Sequence, residues 1–104
     1  MGNMLDTRVE IQDSVCTIHL KGNISLKNAI QLKEMITKLA DEGHKEIILD
    51  LGENVYIDSS GIGSLFNSQK YLADNGGVLK IKNISHEIMT ILKIANLDKH
   101  LNII

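Results

Sequence analysis

The chain has 104 residues, of which 43% are apolar and 3% aromatic, with a formal net charge of −2 and one cysteine. That is one domain, residues 1–104, long enough to bury about two-thirds of its unfolded surface without staples. Scattered charges with no basic block and so few aromatics exclude a nucleic-acid partner, and the lack of any run of 18 apolar residues excludes a membrane-spanning helix.

Met1-Gly2-Asn3-Met4-Leu5-Asp6 has neither a basic n-region nor a long apolar h-region, so no secretion leader is read there. Asp6 in place of Ser or Thr makes a poor myristoylation match. Thr7, Val9 and Ile11 then alternate with polar residues, Asp13-Ser14 is a two-residue turn, and Cys16, Ile18 and Leu20 alternate with Thr17, His19 and Lys21. This pattern predicts an antiparallel hairpin with one buried face. The lone Cys16 permits no intramolecular disulfide and no multi-thiolate zinc site, and reads as an inert core thiol. With no leader, the chain is expected in the cytoplasm.

Gly22-Asn23-Ile24 is expected to break the strand, and Ser25 to cap a helix whose apolar stripe is Leu26, Ala29, Ile30, Leu32, Ile36, Leu39 and Ala40. Gly43 is the natural left-handed end of that helix. Ile47-Ile48-Leu49-Asp50-Leu51 is a nearly continuous apolar run, as in a central parallel strand. Gly52-Glu53-Asn54 and a short apolar stretch, Val55-Tyr56-Ile57, lead to Asp58-Ser59-Ser60-Gly61-Ile62-Gly63. Ile62, Leu65, Phe66, Leu72 and Ala73 then recur at helical spacing until Asn75-Gly76-Gly77. A strand over 78–82 follows, then a helix capped by Ser85 and carrying Ile88, Met89, Ile91, Leu92 and Ala95, ended by Asn96-Leu97-Asp98. Leu101-Asn102-Ile103-Ile104 is a candidate last strand. The fold class is therefore α/β: a mixed, mostly parallel four- to five-stranded sheet with three helices mainly on one face, in the order ββαβαβα(β). His19, Lys21, Lys80 and Lys82 mark the face that the helices leave open.

Chemistry concentrates at Asp58-Ser59-Ser60-Gly61, small polar residues at a helix N-terminus beyond the carboxyl end of a strand. Function usually lies there in open α/β sheets. The plainer reading is capping, since Asp and Ser are preferred cap residues; four such residues exceed what one cap needs. Gly61-Ile62-Gly63 is a weak phosphate loop, because Phe66 occupies the place of the third small residue and no Gly-Lys-Ser/Thr follows. The nucleophile elbow Gly-x-Ser-x-Gly is absent. His19, His44, His86 and His100 lack the pair spacing of metal ligands, so they read as surface residues and no metal or other cofactor is expected. Asp50 is placed either to approach the Ser59 region or to cap a neighbouring amide.

The strand, then Tyr56-Ile57-Asp58-Ser59-Ser60-Gly61-Ile62-Gly63, then an amphipathic helix, resembles the STAS family, and within it bacterial anti-sigma factor antagonists. The Lys-Gly break at Lys21-Gly22, the Ile-Ile-Leu-Asp-Leu strand, the Gly76-Gly77 turn and Ile94-Ala95-Asn96-Leu97-Asp98 fit in order over nearly the whole chain. The resemblance implies a kinase substrate and regulatory ligand, not an enzyme. Ser59 would be phosphorylated by an anti-sigma factor that is also a serine kinase. The unphosphorylated form would bind that factor and free a sigma factor, and a serine phosphatase would reset the switch. Asp58, Ser59, Ser60, Gly61, Ile62, Asn23 and Ser25 would form the partner-binding surface of a protein that is monomeric when unbound. Two departures stand out: Ser25 occupies a position where the family often has an aspartate, and the family's usual further carboxy-terminal helix is absent from this sequence.

The alternative reading is a STAS-type interaction module outside sigma control, either a signalling scaffold or a transporter subunit. A third is a small hydrolase or nucleotide-binding enzyme built on Ser59 or Ser60, which would need a deep pocket and a nearby base.

Overall fold

A computed structural model of the chain describes residues 4–52 and 55–104. Met1-Gly2-Asn3, part of the stretch in which no leader is read, and Glu53-Asn54 lie outside the described residues. The element order is β1 (Leu5–Gln12), β2 (Val15–Ile24), α1 (Leu26–Asp41), β3 (Glu46–Asp50), β4 (Val55–Ile57), α2 (Ser59–Asp74), β5 (Val78–Lys82) and α3 (His86–Ile94), with a short 3-10 helix at Asp98–His100. The strands form one sheet in the order β1-β2-β3-β5, and β4 pairs with β2. Only β1 is antiparallel, to β2; the β2–β3, β2–β4 and β3–β5 pairs are parallel.

Asp13 (φ 51°) and Ser14 (φ 72°) both adopt left-handed backbone, which gives the type I′ turn whose twist suits a two-residue hairpin. Along β2, Cys16, Ile18 and Leu20 are buried while Thr17 and His19 are half-buried, and β3 and β5 alternate in the same way. One face of the sheet is therefore covered by helices. The other carries polar side chains, among them the Lys80–Glu46 pair at 3.0 Å. The core lies between: Ile36 of α1, Leu65 and Leu72 of α2, and Leu92 of α3 meet Ile47, Leu49, Leu79 and Ile81 of the strands. Burying each such side chain stabilises the fold by about 1.5–3 kcal/mol. The two long helices approach closely over small residues, where the Ser64 hydroxyl donates to Ala29 O at 3.1 Å.

Several expectations need correction. β2 does not break at Gly22-Asn23-Ile24 but continues through Ile24. Gly22 stays in the strand with φ 116°, and a Cβ there would collide with the carbonyl oxygen of Met4. Val55-Tyr56-Ile57 is a strand of its own, pairing with residues 22–24 where β3 has already ended. The hairpin's buried face belongs to β2 alone. Val9 and Ile11 share the helix-side face with their partners Ile18 and Cys16, yet β1 lies beyond the helices and they remain 41% and 55% exposed. In the α1 stripe, Leu26 and Ile30 face solvent. The end of the chain makes a single parallel bridge, Ile103 to Ile81, instead of a full strand.

Candidate functional site

The site is assembled where β2, β4 and the first turn of α2 converge. Asp58 has extended backbone (φ −101°, ψ −177°) and caps α2: its carboxylate accepts from the Gly61 amide at 2.9 Å, while its carbonyl accepts from Ile62 N at 3.0 Å. Capping, the plainer reading of this stretch, is thus carried by the aspartate. That leaves Ser59 and Ser60 as the first two helical residues, both exposed, their hydroxyls without a hydrogen-bond partner among the described residues.

Gly61 explains the close approach of the helix to the sheet. A Cβ there would overlap the carbonyl oxygen of Ile24 and lie 2.6 Å from Ile57 Cγ1. The same Ile24 oxygen accepts from Asp58 N at 3.4 Å, so β2 carries the helix start directly. Gly63, by contrast, faces open space. Gly61-Ile62-Gly63 is therefore a packing device and not a phosphate cradle. Gly61 is buried and Ile62 is half-buried against the core.

Beside the helix start lies a shallow hollow lined by Asn23, Ile24, Ser25, Tyr56, Ile57 and Asp58. The structure thus brings together Asn23 and Ser25 from the β2–α1 turn with Asp58, 33 positions from Ser25 in sequence, next to Ser59. Asn28 fixes that turn by donating from Nδ2 to Asn23 O at 2.8 Å. Ser25 occupies the N-cap position of α1 but its side chain makes no capping bond, contrary to expectation. Tyr56 in its lining is exposed, and Leu26 and Ile30 of α1, outside the lining, are exposed as well. The sequence signal for Leu26 and Ile30 was helical spacing, which assigned them to the core.

Asp50 does not belong to this site. On the open face of the sheet it accepts from Asn83 Nδ2 at 2.7 Å, and its other oxygen lies 2.9 Å from His19 Nδ1. Burial would raise its pKa, but the hydrogen bonds from Asn83 and His19 and the charge of Lys82 outweigh burial and hold it below the ordinary carboxylate value. His19 also meets Glu10, 2.9 Å from Nε2, so it joins β1, β2 and β3 instead of standing as an isolated surface residue. Burial pushes the Cys16 thiol up, as expected of a core cysteine. Among the described residues no group of three or more His, Cys, Asp or Glu side chains could hold a metal ion, and no helix is long and apolar enough to cross a membrane.

Comparison with known proteins gives this geometry a family. The STAS domain model matches residues 6–104. An anti-sigma-B factor antagonist of Bacillus subtilis is 25% identical over 99 residues, covering 95% of this chain and 90% of that one. The crystal structure of an anti-sigma factor antagonist from Mycobacterium paratuberculosis superposes with a TM-score of 0.80 at 21% identity, covering 96% of this chain and 85% of the other. The Bacillus cell fate determinant SpoIIAA, solved in its phosphorylated form, superposes with a TM-score of 0.74 at 19% identity, covering 95% and 89%. At those identities the two structures show the shared fold, and the family model spans nearly the whole chain: this protein belongs to the STAS domain family.

Proposed function

We propose that the protein is an anti-sigma factor antagonist switched by phosphorylation of Ser59. The observation that carries the reading is the exposed Ser59 hydroxyl at the first position of α2, next to Asp58 and the hollow it lines with Asn23, Ser25 and Tyr56. Unphosphorylated, this surface docks on an anti-sigma factor with serine kinase activity, and the sigma factor is released. The kinase moves the terminal phosphoryl group of its nucleotide to Ser59 Oγ, while the hydroxyl proton leaves to a base on the kinase. A serine phosphatase removes the group by hydrolysis. The name of the Bacillus subtilis relative supports the partner class, and the existence of SpoIIAA in phosphorylated and unphosphorylated forms supports the switch.

A phosphate adds about −1.5 to −2 charges. At a helix N-terminus the dipole favours it by roughly 0.3–1 kcal/mol, so α2 tolerates the modification. The adjoining sequence supplies no counter-charge: between Glu46 and Gln69 there is no Lys or Arg, while Asp58, next to Ser59, is acidic. A docked partner must desolvate that uncompensated charge, and a penalty of about 4 kcal/mol weakens binding roughly a thousandfold. Phosphorylation therefore acts on the interface with little change of fold. Ser25 offers a hydroxyl where the family often has an aspartate, which leaves recognition by the kinase to Asp58 and the exposed Tyr56.

The test is intact-mass analysis and phosphosite mapping of the protein recovered from its own cells, beside a Ser59→Ala variant. One phosphate on Ser59, missing in the variant, is expected. Absence of phosphate under every growth condition would sink the switch and favour a constitutive interaction module, with Ser59 reduced to a first-turn residue of α2.

A further inference from the structure

The two edges of the sheet differ. Along β5, Ile81 N donates to Asn102 O at 2.8 Å, Ile104 N donates to Ile81 O at 2.9 Å, and Asn102 Nδ2 donates to Leu79 O at 3.0 Å. The last residues of the chain therefore occupy that edge. On the opposite edge, no described residue pairs with the outer side of β1. β1 pairs with β2 in unbroken register over eight residues; it contains no proline, lysine or bulge, and the charges it does carry, Asp6, Arg8 and Glu10, are of both signs.

The hairpin also fixes which backbone groups face outward. A two-residue type I′ turn closes on a hydrogen-bonded pair, here Gln12 with Val15. Alternation along an antiparallel ladder then directs the N–H and C=O groups of Ile11, Val9 and Thr7 away from β2. These are the residues whose side chains lie on the helix-side face without helix cover.

We propose that β1 is a self-association edge, on which a second copy of the chain pairs antiparallel about a two-fold axis through Val9. A two-fold that continues the sheet keeps its faces aligned, so the axis passes through a residue and not between two. An axis at Arg8 sets Arg8 against Arg8 and Asp6 against Glu10. One at Glu10 sets Glu10 against Glu10. One at Thr7 also sets Asp6 against Arg8 but joins only residues 5–9 of β1 and gives Ile11 no partner in the strand, and one at Ile11 pairs only residues 10–12. The axis at Val9 joins residues 6–12 of both strands. Arg8 of each copy then faces Glu10 of the other on the open side of the sheet, while Val9 meets Val9 and Thr7 covers Ile11 on the helix side. In this register Arg8 and Glu10 form a non-hydrogen-bonded pair, the arrangement with the closer side chains. Within one chain the same two groups stand 3.8 Å apart and are 70% and 50% exposed; both contacts of the Glu10 carboxylate, to Arg8 and to His19, use one oxygen, which leaves the other for a neighbour. The antiparallel arrangement directs the two Ser59 sites to opposite ends of the joined sheet. This proposal departs from the monomer implied by the resemblance and stands independently of the phosphorylation reading.

Sedimentation velocity of the full chain from micromolar to millimolar concentration, with Arg8→Glu and Arg8→Glu/Glu10→Arg variants, tests it. Wild type is expected to dimerise within that range. Arg8→Glu turns two attractive cross-strand pairs repulsive and weakens the dimer by about tenfold or more, and the double exchange restores it. Hydrogen exchange of the wild type provides a readout that needs no variant: the amides of Thr7, Val9 and Ile11 slow as concentration rises. A monomer throughout, a dimer indifferent to Arg8→Glu, failure of the double exchange to restore pairing, or amide exchange independent of concentration would each overturn the proposal.

Discussion

Replacing Gly61 with alanine perturbs the joint on which the site depends. The added Cβ meets the Ile24 carbonyl oxygen and Ile57 Cγ1, the latter at 2.6 Å, both closer than a real Cβ tolerates. Ile24 O cannot turn aside, because it is a backbone atom of β2 that also accepts from Asp58 N. Overpacking costs about 1–3 kcal/mol, and a contact with backbone belongs toward the upper end. The better helix propensity of alanine returns up to about 1 kcal/mol. The net loss is about 1–2 kcal/mol, which for a domain of this size lowers Tm by roughly 5–15 °C. Gly63→Ala is the control: it lies two residues along the same helix, with nothing within 4 Å of its added Cβ. There only the backbone term acts, and stability should rise by about 0.5–1 kcal/mol. Urea unfolding followed by far-ultraviolet circular dichroism measures both. If Gly61→Ala is as stable as the parent chain, or the two variants shift in the same direction, the packing argument for Gly61 is wrong.

Other outcomes follow from the same structure. Asp58→Ala removes the cap on Gly61 N and should cost about 1 kcal/mol in urea unfolding, whereas Asp58→Asn, which keeps an acceptor, should cost much less. Ile36→Ala, at a fully buried position, should cost about 2–5 kcal/mol, while Leu26→Ala, at an exposed position next to Ser25, should stay within about 0.5 kcal/mol and instead weaken partner capture. Asn83→Gly keeps the left-handed backbone at that residue (φ 59°) but removes a hydrogen bond to the Asp50 carboxylate, so the Asp50 pKa should rise in an NMR titration. Because that pKa is depressed in the folded protein, its contribution to stability is present above the ordinary value of 3.8 and is lost as pH falls through the lower folded value. The stability gap between Asn83→Gly and the parent should therefore narrow on acidification across that window.

The helices and the order of the main strands were legible because their signals are periodic and long. Gly43 (φ 100°) ended α1 as its position implied. Burial was harder to read, since alternation identifies a face but not how far the helix layer extends over it. For that reason Val9 and Ile11 of β1, and Leu26 and Ile30 of α1, were assigned to a core that stops short of them. β4 has three residues, too few for a period, and its evidence is its partner at residues 22–24. Gly22 resembled a strand breaker because a positive φ commonly marks a turn; here it marks a place where Met4 O approaches the strand. At the site, a stretch that needed one cap and contained three candidates located the helix start, and only the structure assigned the cap to Asp58. The His19–Asp50–Asn83 connection joins residues 31 and 33 positions apart, inside β2, at the end of β3 and just after β5, beyond the reach of local pattern.

The carboxy-terminal segment that lies along β5 limits what the molecule can build. A sheet extensible at both edges can add neighbours without end, and head-to-tail strand addition is how filaments grow. With Asn102 and Ile104 bonded to Ile81, growth on that side is stopped. Among the described strands the long edge left unpaired is β1, so pairing there is isologous: each copy uses that edge on the other, and the assembly closes at two. In a small domain that carries a long edge strand, a few residues at the far side of the sheet thus limit how far strand addition can go.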